Sequence, residues 1–130
     1  MTEIPGQKLW GQSTRAFIDA VAELVVAHVK VGGYSSRHSH KSKWNTFEVI
    51  QGELLVRTWT APGQDNWVEK VIHSNCPAYS IEPGVVHQFE ALSDVLMYEF
   101  YRAIEGEMID PDDIHRFDEG GVRGDQPQHG

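Results

Sequence analysis

The chain has 130 residues, of which 40% are hydrophobic, and this length and composition fit one folded domain and exclude wholesale disorder. Its 11 basic and 19 acidic residues give a formal net charge of −8, so neither nucleic acid nor an anionic membrane is expected as a partner. A single cysteine excludes an internal disulfide, and residues 1–5 do not resemble a signal peptide, so we expect a cytoplasmic protein.

The first strand is predicted after an N-terminal arm. Residues 1–20 are expected to form an arm or a short edge element, in which Ser13 and the residues after it are compatible with a helical turn. Residues 23–31 then alternate, with Glu23 and four apolar residues on one face, which predicts a β-strand. The apolar residues of that face are Val25, Ala27, Val29 and Val31.

The rest of the chain is divided into short apolar segments by turn residues. Strands are predicted over 47–50, 54–59, 67–72, 78–81, 86–91 and 95–102, with a hairpin loop over 61–66. Many short strands at close spacing indicate an all-β barrel or sandwich. We therefore expect an arm over 1–20, a barrel over 21–119 and a flexible, glycine-rich tail over 120–130.

Three of the seven histidines form a candidate metal site. His38 and His40 are two residues apart in a segment predicted to be extended, so their rings point to the same side. His87 follows a Pro-Gly turn at the start of a later strand. Three imidazoles with open positions suit a divalent transition metal such as Zn, Mn, Ni or Fe. The His-x-His spacing alone is equally compatible with a solvated loop.

These residues resemble the cupin superfamily. The first cupin motif, G-x5-H-x-H-x(3,4)-E-x6-G, is matched at four positions: Gly32, His38, His40 and Gly52. Asn45 occupies the place of its glutamate, and the second motif is matched only by Gly84 and His87. The resemblance implies a cupin-type double-stranded β-helix (jelly-roll) barrel with a metal ion inside its mouth.

A narrower resemblance covers roughly residues 9 to 119. The chain is similar to type II mannose-6-phosphate isomerase cupin domains in Trp10-Gly11, in residues 98–100 and in an acidic closing stretch over residues 112–118. The resemblance implies an isomerase- or epimerase-like proton transfer on a sugar or sugar phosphate, next to a metal-polarised carbonyl. The alternatives are a dioxygenase with iron on three histidines and a non-catalytic metal- or sugar-binding cupin.

The resemblance implies Asn45 as the fourth metal ligand, and strand parity bears on Glu48 and on Glu99. Asn45 would supply a neutral carbonyl oxygen, whereas Glu48 has the opposite parity in a regular strand and would face away unless a bulge intervenes. Glu99 lies in a late strand. If its face looks into the barrel, Glu99 is a buried carboxylate with a raised pKa that serves as the catalytic general base.

The expected substrate is a small molecule that is anionic or sugar-like. Arg37, Lys41 and Lys43 flank the histidines and form either an anion-attracting rim or ordinary solubility charge, and Tyr101 supplies part of the wall. Cupins often pair through an N-terminal strand or a sheet face. Residues 1–20 contain Trp10, Phe17 and Ile18, so we expect a homodimer that uses this segment.

Overall fold

The computed structural model describes residues 7–59 and 66–124, and within these ranges the chain forms thirteen β-strands and no helix. None of the described segments is a helix that could cross a membrane. The strands are β1 (Gln7–Lys8), β2 (Gly11–Ile18), β3 (Ala22–Val29), β4 (Gly33–Tyr34), β5 (His38–Ser39), β6 (Lys43–Gln51), β7 (Glu53–Trp59), β8 (Val68–His73), β9 (Tyr79–Ile81), β10 (Val86–Ala91), β11 (Val95–Ala103), β12 (His115–Arg116) and β13 (Gly121–Val122). The all-β prediction is confirmed, whereas the predicted loop over 61–66 lies outside the described residues except for Asn66.

The strands form two antiparallel sheets. The first has the order β1-β2-β3-β11-β6-β9, so the late strand β11 lies between two early ones. In the second, β10 is central: β7 pairs along one edge, and the short strands β4 and β5 pair along the other. β8 extends this sheet beyond β7, while β12 pairs with β5 and β13 pairs with β4.

The core lies between the two sheets and follows from the alternation of each strand. On β6, Phe47 and Val49 are buried while Glu48 between them is exposed, which is the pattern of a strand with one face on the core. Phe89 of β10 lies across from this face, with its ring centroid 6.1 Å from that of Phe47. Burial of each such side chain contributes about 1.5–3 kcal/mol relative to its exposure. Polar side chains replace the apolar ones toward one end of this space.

The backbone conformation explains why two of the positions that match the cupin motif are glycines. Gly32 and Gly52 adopt φ angles of 81° and 94°, in the region that L-residues with a side chain avoid. A Cβ at Gly52 would also overlap the carbonyl oxygen of Asp94. Both turns therefore require glycine, and the first of them directs the chain into the segment that carries His38.

The predicted arm is an edge element as far as the structure describes it. The helical turn suggested at Ser13 is wrong, because residues 11–18 pair with β3 as strand β2. Trp10 is buried in the core, whereas Phe17 and Ile18, like Leu9, are exposed and could contact a second copy. The homodimer stays a prediction, which light scattering at micromolar concentration tests.

The start of the predicted tail is also paired. Gly121 and Val122 form β13 against β4, and the amide of Arg123 donates to the carbonyl oxygen of Gly32 at 2.7 Å. Residues 125–130 of the predicted tail lie outside the described residues.

Candidate metal centre

The fold brings together the three histidines that the spacing singled out. His38 on β5 is directly opposite His87 on β10, and His40 follows two residues later. The ring centroids are 4.3 Å apart for His38 and His87, 5.1 Å for His38 and His40, and 5.3 Å for His40 and His87. One nitrogen from each ring lies within 4.8 Å of the others, so this histidine cluster could hold one metal ion.

Every ring of the histidine cluster is held in the same way. In each case Nδ1 lies at hydrogen-bond distance from a backbone carbonyl oxygen. The pairs are His38 with Ser36 at 2.8 Å, His40 with Asp113 at 2.8 Å and His87 with Val85 at 3.0 Å. A carbonyl oxygen can only accept, so Nδ1 carries the proton of the neutral ring and Nε2 keeps its lone pair. Metal-ligating histidines are typically oriented by such a bond.

Asn45 lies next to the histidine cluster. Its Oδ1 lies 3.0 Å from Nε2 of His87, although neither atom has a proton to share once Nδ1 of His87 is protonated. Within the described part of the chain, Nε2 of His40 and Nδ2 of Asn45 are buried without a hydrogen-bond partner. A cation would satisfy the lone pair of Nε2 of His40 and would separate Oδ1 of Asn45 from Nε2 of His87, so these atoms fit a metal ion, whereas Nδ2 of Asn45 is a hydrogen-bond donor and cannot bind one. Glu48 is exposed and points away, as its parity predicted.

Burial keeps the histidine cluster neutral. It lowers the pKa of His38 to about 3, with the neighbouring His40 acting in the same direction. It also lowers the pKa of His87 to about 3 and that of His40 to about 4. All three rings are therefore unprotonated at neutral pH, so protons do not compete with a metal for their lone pairs.

The histidine cluster opens into a cavity of about 440 Å³, a size suited to a small molecule. His38 and His40 line it together with Glu23, Lys43, Glu99 and Tyr101. A stretch over residues 110–118, here named the closing segment, contributes Pro111, Ile114 and Arg116 to its wall. Lys8 from β1 also lines the cavity.

Glu99 faces into this cavity and is buried. The hydroxyl of Tyr101 donates to its Oε1 at 3.2 Å. Burial raises the pKa of Glu99 to about 7, while the Tyr101 hydroxyl and the Asn45 amide act in the opposite direction. The amide of Asn45 exerts its effect from nearby, since its Nδ2 makes no hydrogen bond of standard geometry. Near neutral pH the carboxyl can therefore both hold and release a proton.

The three cations predicted to bind substrate lie in different environments. Lys43 is buried and lines the cavity; its Nζ donates to the carbonyl oxygen of Asp110 and lies 4.6 Å from the centroid of the Tyr101 ring. Arg37 and Lys41 do not line the cavity. The Nε of Arg37 is 2.7 Å from the carboxylate of Asp118, and Lys41 is exposed.

The closing segment fastens the strand that carries the histidines. The carboxylate of Asp113 accepts hydrogen bonds from the backbone amides of Lys41 at 2.9 Å and Ser42 at 2.8 Å, and its carbonyl oxygen accepts from His40. Asp118 accepts in the same way from the backbone amide of Arg37. From the sequence, the acidic stretch over residues 112–118 was interpreted either through the isomerase resemblance or as solvent-exposed charge. Its role in holding the histidine segment was not predicted.

Glu23 is the second feature that sequence reasoning missed. It is buried, lines the cavity and accepts from Nε of Arg15 at 2.8 Å. A signal was present, because Glu23 is the only charged residue on the otherwise apolar face of the first predicted strand. A charge on a core-facing position is uncommon unless it is paired or functional.

No protein-family model matches the sequence, and no curated protein matches it either. Solved structures do match. The capsular polysaccharide assembling protein CapF from Staphylococcus aureus is 23% identical with a TM-score of 0.66, and the match covers 82% of this chain and 32% of that one. This chain therefore spans about a third of the CapF chain.

Two other solved structures share the fold. A double-stranded β-helix domain protein from Klebsiella pneumoniae is 15% identical, with a TM-score of 0.61 over 84% of this chain and 83% of that one. The cupin domain of Cnp3 from Schizosaccharomyces pombe is 12% identical, with a TM-score of 0.61 over 72% of this chain and 64% of that one. The fold is thus the cupin-type double-stranded β-helix, as predicted. None of these three structures is described as a mannose-6-phosphate isomerase, so that narrower resemblance stays a prediction.

Proposed function

We propose that this chain is a metal-dependent cupin that acts on a small sugar or sugar phosphate by proton transfer at a carbon next to a carbonyl group. The observation that carries the proposal is the histidine cluster. Its three rings are buried and neutral, each is held through Nδ1 by a backbone carbonyl, and the remaining nitrogens converge within 4.8 Å. Three neutral imidazole nitrogens that converge in this way are typical of a transition-metal site.

The residues that would hold the ion are the histidine cluster and Asn45. A bound divalent ion would act as a Lewis acid that polarises a substrate carbonyl. Because Asn45 brings no negative charge, the ion would keep its full charge toward substrate oxygens. Zn, Mn, Ni and Fe all accept imidazole ligands, and metal analysis decides among them.

Glu99 is the group we assign to proton transfer. It lines the same cavity as His38 and His40, and the Tyr101 hydroxyl fixes one of its oxygens at 3.2 Å. The free oxygen of the carboxylate would take a proton from the carbon that bears the hydroxyl group and return it to the carbonyl carbon, while the hydroxyl proton passes to the carbonyl oxygen. Asn45 cannot serve as a base, so the carboxylate beyond the ligands takes this role.

The substrate class follows from size and charge. A cavity of about 440 Å³ admits a molecule the size of a monosaccharide. Lys8, Lys43 and Arg116 line it beside the carboxylates of Glu23, Glu99, Asp118 and Glu119, so it offers cations to a phosphate or carboxylate group and acceptors to sugar hydroxyl groups. CapF, one of the structural neighbours, is described as assembling a capsular polysaccharide, which is consistent with carbohydrate chemistry on this fold.

Metal content after purification is the first test. Wild type is expected to retain a transition metal, and His87→Ala is expected to lose most of it, because removal of one of three imidazoles leaves a weakly held ion. His28→Ala is the matched control, since His28 is exposed on the outer side of β3. Equal metal content in wild type and His87→Ala would place the metal elsewhere.

The second test is turnover. We expect aldose–ketose exchange on a panel of hexose and pentose phosphates, and Glu99→Gln should reduce it by roughly 10²–10⁴-fold without loss of metal. Glu105→Gln, at an exposed position, serves as the control for loss of a carboxylate. The isomerase proposal fails if wild type shows no exchange with any divalent metal. Iron together with oxygen consumption would instead support the dioxygenase.

A further inference from the structure

Glu23 is a buried carboxylate that the proposed function does not use. It is 6% exposed and lies on the inner face of β3, directly opposite Tyr101 on β11. Glu99 is two residues from Tyr101 on the same strand, so the two glutamates are diagonal neighbours on one face of the sheet. Both line the cavity that His38 and His40 also line.

One oxygen of Glu23 is committed and the other is available. Arg15, on the adjacent strand β2, donates from Nε to Oε2 at 2.8 Å. Among the residues described here, no group donates to Oε1. That oxygen is also not sealed, because the buried atoms without partners include only atoms of His40 and Asn45. Oε1 of Glu23 can therefore accept a hydrogen bond from a ligand, because Arg15 fixes the carboxylate through Oε2 and Oε1 is open to the cavity.

The pairing of Glu23 selects the kind of donor. An acceptor such as Oε1 binds either an amine or a hydroxyl group. The cavity carries charges of both signs, since Glu23, Glu99, Asp118 and Glu119 line it beside Lys8, Lys43 and Arg116. Because Arg15 already pairs with the Glu23 carboxylate, a second cation gains little there, whereas the hydroxyl groups of a monosaccharide can donate to Oε1 without adding a charge. The side chain of Ser13 lies with Glu23 and Arg15 along an adjoining recess and offers a further hydrogen-bonding group to a polyhydroxylated ligand.

We propose that Glu23 recognises a hydroxyl group of a monosaccharide ligand and that Arg15 is its positioning residue. The inference rests on the proposed function, because it assigns a substrate contact within the same cavity. It adds a second carboxylate with a role distinct from that of Glu99: Glu23 holds a hydroxyl group and takes no part in proton transfer.

The test is an NMR titration of the metal-loaded protein with a panel of neutral aldoses and ketoses, including D-glucose and D-mannose, and with D-glucosamine as the amine probe. Glu23→Gln removes the charge with little change of shape and should weaken the best-binding sugar by roughly 10- to 100-fold, as expected for a hydrogen bond to a charged group. Glu105→Gln removes an exposed carboxylate and should leave the affinity unchanged.

Arg15 is tested by rescue. Arg15→Met should weaken sugar binding by a smaller factor than Glu23→Gln, because the carboxylate remains but is no longer oriented. Arg15→Lys should restore most of the affinity, since an ammonium group can still pair with Oε2. If the role of Arg15 is only structural, Arg15→Met should lower the melting temperature, and the dissociation constants should show no loss in Arg15→Met that Arg15→Lys restores.

A measurement on wild type does not depend on the folding of any variant. With ¹³C-labelled glutamate carboxyls, the Glu23 resonance should shift on addition of the sugar, whereas that of Glu105 should not. The inference is overturned if wild type binds no sugar of the panel, if Glu23→Gln binds as wild type does, or if D-glucosamine binds more tightly than D-glucose. Metal content and turnover are measured on the same samples. Sugar binding that depends on Glu23 without any turnover would contradict the proposed function alone. Turnover without a contribution of Glu23 to binding would contradict this inference alone.

Discussion

Removal of the Asp113 carboxylate should loosen the segment that carries His38 and His40. In Asp113→Ala, the backbone amides of Lys41 and Ser42 lose their acceptors at 2.9 and 2.8 Å. Asp113 is only partly buried, so water replaces part of each bond, and we expect a cost of about 1 kcal/mol for each amide. The total of about 2 kcal/mol corresponds to a fall in melting temperature of roughly 7 °C for a chain of this length.

The same substitution should weaken metal binding without touching a ligand. The carbonyl oxygen that accepts from Nδ1 of His40 belongs to Asp113 itself, so a displaced closing segment releases that ring. Loss of such an outer contact typically reduces metal affinity by roughly 10- to 100-fold. We expect an effect of this size in a zinc titration of EDTA-treated protein, followed by scanning fluorimetry and by competition with a chelator.

Asp112→Ala is the matched control for Asp113→Ala. It removes the same charge one residue away, and the Asp112 side chain is exposed and makes no hydrogen bond among the described residues. Asp113→Asn should be intermediate, because Oδ1 can still accept one amide while Nδ2 cannot. The reasoning is refuted if the Asp113→Ala and Asp112→Ala proteins have equal melting temperatures and equal zinc affinities.

Three further predictions concern the site and one turn. Asn45→Glu should tighten divalent metal binding through the added negative charge, which chelator competition measures. It should also slow turnover in the exchange assay, because the partly neutralised ion polarises the substrate carbonyl less. Metal-free protein should become less stable between pH 7 and pH 5. In the unfolded chain each ring of the histidine cluster regains a pKa of 6.5, so its protonation favours unfolding by about 2 kcal/mol per ring at pH 5. Protonation of buried Glu99 favours the folded state by about 2 kcal/mol, so urea titrations should show a net loss of about 4 kcal/mol in the free energy of unfolding. A flat profile from pH 7 to 5 would contradict this. Gly52→Ala should lower the free energy of unfolding by about 2 kcal/mol or more, and Gly106→Ala by about 1 kcal/mol. Both glycines have a positive φ, but only a Cβ at Gly52 would meet the Asp94 carbonyl oxygen. Equal melting temperatures of the two variants would refute the clash.

Local patterns were sufficient for most of the longer strands and for the three histidines. The predicted strand over 86–91 has the bounds of β10, and that over 95–102 is one residue short of β11, whereas β2 was not predicted. The motif pointed to Asn45, and side-chain parity then placed Glu48 on the opposite face, because a regular strand fixes the direction of each residue relative to its neighbours.

Features that depend on distant backbone could not be predicted. Nothing near Arg37 indicates that its partner is Asp118, 81 residues later, and nothing near Lys43 indicates the carbonyl of Asp110. Spacing treats the flanking cations as equivalent, although only Lys43 reaches the cavity. The Arg15–Glu23 pair was within reach, because the hairpin of β2 and β3 is local, but it required the charge on an apolar face to be treated as a signal.

The position of β11 between β3 and β6 has a consequence for how the chain is made. A ribosome releases β3 and β6 long before residues 95–103, so until then each of these strands has an unpaired edge that β11 will later cover. Pairings this remote in sequence form slowly, and a nascent chain that exposes such edges is prone to associate with its neighbours. The closing segment emerges later still, so metal capture is expected to follow synthesis of nearly the whole described chain. Overexpression at low temperature, with metal added after translation, should therefore yield more folded protein than rapid synthesis.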